Sequence, residues 1–349
     1  MRVPDHINNM WVAEVGMMPK REVLQQYYVS TGIDLLDELV FGWPKGRIAL
    51  LYGHFKSGKT TLAMMASIRT IAEGRHVLYL DAENRVTPMR FYALAEGMVK
   101  RNVVTDFDRT RISTHLHLYT ATSLAEQHEI VTEDFLEKMK EEDVGLVVID
   151  SVAVYYHDRV LKAPREMTAT EAKEVMGKIS SELMQLQRPA ARLGAPIIAI
   201  TWSASKAGYA LQQWQKRQLV SAIRAGKAEA SEVYANLDVL LGTFGSDYVG
   251  GQFLGYRAHF LLRLFRLPGE LRYAYLTAHG DRPDGYGLQM VMTEAGLLPA
   301  PNAKVEKPTE QYVREMLSRE EEEVRKDKRL EVPEVKEAVE ERSGRKRRK

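Results

Sequence analysis

The chain has 349 residues, of which 45% are hydrophobic and 28% charged, and a formal net charge of +2. This is a globular composition with material for a sizeable core, arranged as one large domain with appendages or as two domains. Cysteine is absent, which excludes disulfides, thiolate metal sites and cysteine nucleophiles and favours an intracellular home; the nine histidines show no H-E-x-x-H or similar metal spacing, and no apolar run approaches the roughly 20 residues of a membrane helix.

Residues 1–28 hold Trp11, Tyr27 and Tyr28 without a clear period, and are expected to dock on the core or on a neighbouring subunit as an oligomerisation segment. From Ser30 the pattern turns α/β. Apolar runs at 47–52, 76–80, 145–150 and 195–201 alternate with helical stretches, which implies a parallel sheet with right-handed crossovers. Ser123 and Glu126 form a capping-box pattern at the start of the helix before the third of these runs. Past Gly250 the texture changes: 256–267, 271–279 and 287–293 read as strands joined by turns at Pro268-Gly269 and 281–285. The expected fold is α/β, a mostly parallel central sheet flanked by helices with an antiparallel C-terminal extension. The core spans 29–300. Residues 301–349 alternate acidic blocks such as Glu320–Glu323 with basic ones and end in Arg345-Lys-Arg-Arg-Lys349, a charged helical or disordered tail. Its basic end suits either nucleic acid or plain solvation.

The chemistry starts at Gly53, His54, Phe55, Lys56, Ser57, Gly58, Lys59, Thr60 and Thr61, a G-x-x-x-x-G-K-[ST] run between an expected strand and an expected helix. Glycines let backbone N–H groups curl around phosphates, and the helix start adds partial positive charge. Lys59 can reach the outer phosphates and the Thr60 hydroxyl can hold Mg²⁺, so the chain is expected to bind a nucleoside triphosphate. Hydrolysis needs a carboxylate near the metal and a group that positions water. Asp150, at the end of an apolar strand, supplies the first. Glu83, just past another strand, supplies the second, unless it only complements a helix dipole. Arg90 either stacks on the adenine or is an ordinary surface arginine.

Ser30-Thr-Gly-Ile-Asp-Leu-Leu-Asp37 with Gly46, the phosphate loop, Asp81-Ala-Glu83, Ile149-Asp150-Ser151 and Gly250-Gly251 together resemble the RecA/RadA recombinase superfamily from about residue 29 to 298. The resemblance implies a RecA-like P-loop ATPase core, with ATP and Mg²⁺ as cofactors. It implies a DNA-dependent ATPase that binds single-stranded and double-stranded DNA, self-associates into a helical filament or ring, and works with recombination accessory proteins. A cytoplasmic, nucleoid-associated or viral protein acting in its host cell, with no membrane partner, fits it. Glu83 and Lys59 match the catalytic positions, and Arg90, Asp281 and Pro283 match nucleotide-contacting ones.

Two DNA loops are implied. The first, near 156–170, carries Arg159, Lys162 and Arg165, and the second, within 203–249, carries Lys206, Trp214, Lys216, Arg217, Arg224 and Lys227; Gly250 and Gly251 close it. Interleaved aromatics and cations suit a single strand, although some aromatics are equally suited to core packing. Thr201-Trp202 stands where the family commonly has Asn-Gln, and an indole cannot relay a γ-phosphate as an amide does. No F-x-x-A polymerisation motif occurs in 1–28, and the core resembles that of RadA or of phage UvsX-type proteins without the helix-hairpin-helix domain. The leading expectation is therefore a strand-exchange recombinase. A mediator or paralogue that regulates a recombinase comes second, and a ring-forming helicase third.

Overall fold

The computed structural model describes residues 21–105, 107–156, 169–203 and 248–330. Arg21–Tyr27 (α1), Tyr28–Val29 (β1), Asp34–Val40 (α2) and Trp43–Pro44 (β2) form an entry segment in which β1 and β2 pair antiparallel. Then come Ile48–Gly53 (β3), Lys59–Ala72 (α3), His76–Asp81 (β4), Pro88–Lys100 (α4), Thr110–His115 (α5) and Leu116–Thr120 (β5). Leu124–Glu129 (α6), Phe135–Glu141 (α7), Val144–Asp150 (β6), Ala169–Leu193 (α8) and Ile197–Trp202 (β7) follow. The last group is Gly251–Arg257 (α9), Ala258–Arg266 (β8), Leu271–His279 (β9), Gly287–Thr293 (β10), Gly296–Pro299 (β11) and Glu310–Leu330 (α10).

One nine-stranded sheet runs in the order β11-β10-β9-β8-β3-β7-β6-β4-β5. From β8 to β5 neighbouring strands are parallel, and β8 through β11 pair antiparallel. The parallel part explains the continuous apolar runs, because helices cover both of its faces. Side chains alternate accordingly: Ala49 and Leu51 join the core cluster under α3 and α4, and Ile48, Leu50 and Tyr52 join the one under α7 and α8.

Four features differ from the sequence reading. β5 was not anticipated, since its Leu-His-Leu-Tyr-Thr run is short and only half-buried at the sheet edge. The strand expected from 256 begins at Ala258, because Gly250 takes a left-handed φ of 103° and opens the short helix α9. At α6, Ser123 Oγ accepts the Glu126 N–H (3.2 Å) as a cap should, but the Glu126 carboxylate turns to the N–H and hydroxyl of Thr122 (both 2.7 Å). The fourth concerns the charged tail. As far as Leu330 it is a helix, and it does not simply run through solvent: Met316 packs with Phe265, Leu267 and Tyr273, while Glu320 is buried, accepts the Arg266 N–H (3.0 Å) and pairs with Arg263 (3.3 Å). Trp11 and the basic run from Arg345 lie outside the described residues.

Candidate active site

Register assembles the site. Gly53 pairs with Trp202, Ile200 with Asp150, and Asp150 with Asp81, so β3, β7, β6 and β4 end side by side and their loops share one rim. At Gly53 a Cβ would lie 2.2 Å from the Leu264 carbonyl oxygen, so the loop can leave the sheet only through glycine. Gly58, at φ 104°, caps α3 without any side-chain acceptor, which leaves the first N–H groups of the helix for an anion. Arg272 of β9 donates to the Lys56 carbonyl (3.1 Å) and steadies the loop from the antiparallel side.

Lys59 is buried, and its ammonium donates to the carbonyls of Gly53 and His54, both at 2.8 Å. Burial pulls its pKa down to about 8, against the opposing pull of Asp150 and Glu83. An arriving polyphosphate would restore the full charge. Thr60 donates its hydroxyl to the Asp150 carboxylate (2.7 Å), and Tyr79 donates to the same oxygen (3.0 Å). Burial raises the Asp150 pKa, partly offset by these two bonds. A buried carboxylate beside a part-buried hydroxyl, two hard oxygens that lack full charge compensation, fits Mg²⁺.

Past β4, the Asp81 carboxylate accepts the N–H groups of Glu83 (3.3 Å), Arg85 (2.7 Å) and Val86 (2.5 Å). This turn aims Glu83 into the cleft, where its side chain is only 7% exposed. Arg85 pairs with Glu83 at 2.7 Å, and the Trp202 side chain, through its indole N–H, hydrogen-bonds the same carboxylate. Burial pushes the Glu83 pKa up and Arg85 opposes that rise. The Arg85 guanidinium also lies over the Phe55 ring, 5.0 Å from its centroid, which links the tip of the phosphate loop to Glu83.

These groups line a cleft of ≈ 440 Å³, to which Thr61, Arg90, Arg272 and Met292 also contribute. Arg90 reaches Thr61 Oγ1 at 3.4 Å from the exposed edge of the cleft. Asp281 and Pro283 are not in it. Asp281 accepts from Tyr28 (2.5 Å) beside His259 and Arg47, at the opposite rim of the sheet, so no atom of it faces the nucleotide cleft of its own chain. Gly250 and Gly251 emerge beside the end of β7, where Val249 N–H bonds the Trp202 carbonyl (2.8 Å) and Ser203 bridges Tyr248. Arg159, Lys162, Arg165, Lys206, Trp214, Lys216, Arg217, Arg224 and Lys227 lie outside the described residues.

Sequence reasoning missed Arg85, Tyr79 and Arg272, each of which reaches the site from a neighbouring strand or loop. It treated Trp202 as a lost amide and a loop aromatic, not as a partner of Glu83. Glu320 was missed as well: it lies 3.9 Å from His54, so α10 touches the phosphate loop.

Residues 28–177 match the family described as an AAA domain. Proteins named DNA repair and recombination protein RadB align along nearly their whole length. The one from Thermococcus onnurineus is 28% identical over 272 residues, 77% of this chain and 96% of its own. Those from Pyrococcus furiosus and Halobacterium salinarum are 27% and 25% identical, covering 79% and 77% of this chain and 97% and 94% of their own. A crystal structure of the RadB recombinase superposes with TM-score 0.53 at 25% identity, over 78% of this chain and 99% of the other. These likenesses support the resemblance to recombinase-like proteins of the RecA/RadA superfamily. The chain's RecA-like core is a P-loop nucleotide-binding ATPase domain, and the mostly parallel sheet expected from the sequence is the sheet observed. No helix among the described residues is long and apolar enough to cross a membrane.

Proposed function

We propose that this protein is an ATP-dependent DNA recombination protein of the mediator or paralogue type, which binds ATP and DNA and turns ATP over slowly. The observation that carries this reading is Glu83, whose carboxylate is held by Arg85 at 2.7 Å and by Trp202. A general base occupied by a cation and an indole is a poor proton acceptor until those partners move. The names of the RadB relatives, which place them in DNA repair and recombination, support the setting.

In this reading Lys59 and the N–H groups of the phosphate loop bind the β- and γ-phosphates. Thr60 and Asp150 hold Mg²⁺, which when bound neutralises phosphate charge. Arg90 stands at the cleft edge where a base would lie. Glu83 would take the proton of the water whose oxygen attacks the γ-phosphorus as the bond to the β–γ bridging oxygen breaks and ADP leaves, and Asp81 keeps Glu83 aimed. Trp202 is the last residue of β7 and the segment 204–247 begins two residues later, so DNA bound there would pull on the indole that holds Glu83. Asp281 and Pro283 would meet nucleotide only across a subunit contact in a filament or ring.

Strand exchange by the protein itself is the second reading, favoured by the presence of Lys59, Asp150 and Glu83 together on one rim. Three assays separate the two: nucleotide-dependent single-strand binding, steady-state ATP turnover with and without DNA, and strand exchange. Slow turnover, DNA binding and no exchange without a separate recombinase support the mediator. Autonomous exchange with extended filaments in negative-stain micrographs replaces it with the recombinase, and failure to bind DNA with any nucleotide removes both.

A further inference from the structure

The opposite rim of the sheet carries a cluster that the nucleotide chemistry does not use. His76 begins β4, His117 is the second residue of β5, and Glu142 follows the end of α7. No sequence spacing joins them; the parallel β4–β5 pair and the helix over it do. His76 Nδ1 and His117 Nε2 are 3.1 Å apart, and Glu142 Oε2 lies 3.0 Å from the first and 2.5 Å from the second. Glu142 Oε2 is buried, and among the described residues it has no hydrogen bond apart from these imidazole contacts. With both imidazoles neutral and protonated on their other ring nitrogens, His76 Nδ1, His117 Nε2 and Glu142 Oε2 all present lone pairs to one point. Three lone-pair atoms that face one another without satisfying one another point at a shared cation.

Two of the three separations match the spacing of ligands around a metal, and the 2.5 Å one would open by about 0.5 Å on binding. With metal–nitrogen and metal–oxygen bonds of about 2.0–2.1 Å, ligand atoms on one face of a tetrahedron lie about 3.3 Å apart and on one face of an octahedron about 3.0 Å apart. The supporting contacts are also in place. Lys138 holds the other carboxylate oxygen, Oε1, at 3.0 Å and so leaves Oε2 to the imidazoles. The His76 backbone N–H donates to the Asp143 carbonyl (3.0 Å), and Arg75 grips the Asp143 carboxylate at 2.8–3.1 Å, which fixes the backbone beside Glu142. The His115 ring stacks on His76 with centroids 4.6 Å apart. The three side chains stay 19–24% exposed, so a cation can enter and water can complete its shell.

We propose that His76, His117 and Glu142 form a binding site for a divalent transition-metal ion of the Zn²⁺ class, which ties the edge strand β5 to β4 and to the end of α7. Two imidazoles and one carboxylate favour such an ion over Mg²⁺, which prefers oxygen alone. The site is separate from the Thr60–Asp150 pair at the other rim, and it does not depend on the proposed recombination role.

The test uses the full-length chain without an affinity tag. Zn²⁺ is titrated against a chromophoric chelator, and Co²⁺ is added separately to read its visible ligand-field bands. One Zn²⁺ per chain is expected, together with Co²⁺ bands of mixed nitrogen and oxygen ligation. Both His117→Ala and Glu142→Gln should weaken binding at least about 100-fold while nucleotide binding is retained, which shows that each variant folds. Asp150→Ala should leave Zn²⁺ affinity as it is. Absence of Zn²⁺ binding by the unaltered chain overturns the proposal. So does binding that survives both His117→Ala and Glu142→Gln, or that disappears with Asp150→Ala.

Discussion

The two rims of the sheet hold similar residue types in different electrostatic states. At the rim where the parallel strands end, Lys59, Asp150 and Glu83 surround an open cleft, and burial drives the pKa of each toward its neutral form. At the other rim, beside β1, Asp281 is met by the Tyr28 hydroxyl at 2.5 Å, His259 at 3.2 Å and Arg47 at 3.7 Å. Here the charge is answered from within the chain. The contrast shows where chemistry can happen: a carboxylate already provided with partners stabilises the fold, whereas buried charge around an open space needs a ligand to complete it.

The sharpest way to break this comparison is Glu83→Gln. Turnover should fall about 1,000-fold, the size of a lost general base, with ATP affinity kept. Single-turnover hydrolysis beside a binding titration checks it, and undiminished hydrolysis would take Glu83 out of the base role. Lys59→Ala should weaken ATP by about 100-fold, since two charge-assisted bonds to phosphate contribute roughly 3 kcal/mol. A fluorescent nucleotide analogue reads this directly, and nucleotide-dependent assembly should be lost with it.

Away from the cleft, Met316→Ala should lower unfolding stability by about 2–3 kcal/mol in a denaturant titration, because it empties the contact that docks α10. Tyr28→Phe should cost about 1.5 kcal/mol through the Asp281 bond and leave the ATP affinity of the unassembled chain unchanged. A shift in that affinity would mean the two rims are coupled. The smallest effect concerns Arg85. Glu83 acts as a carboxylate and burial raises its pKa, so turnover should fall on the acid side at a higher pH than for a solvated glutamate. Arg85 opposes that rise, so Arg85→Ala should move the acid limb to still higher pH. Above the limb, turnover should rise by up to about fivefold, the value of a half-exposed ion pair. A pH–rate profile of both proteins decides it, and a limb that moves to lower pH contradicts the assignment.

Local pattern determined much of this protein. The phosphate loop, the strand that ends in Asp150 and the strands Leu271–His279 and Gly287–Thr293 are legible because glycine spacing and apolar runs are local signals. Tertiary structure alone decided the rest. Arg85 meets Glu83 because Asp81 gathers three backbone N–H groups into one turn, and Trp202 joins them because β7 lies next to β3. Glu320 reads as one acid in a charged block, yet a single apolar face on α10 carries it onto β8, to Arg263 and His54. His76, His117 and Glu142 are up to 66 residues apart and share no spacing rule. Only the pairing of β4 with β5, and the helix that crosses them, brings their lone pairs to one point, since strand order is set by long-range packing rather than by neighbours in sequence.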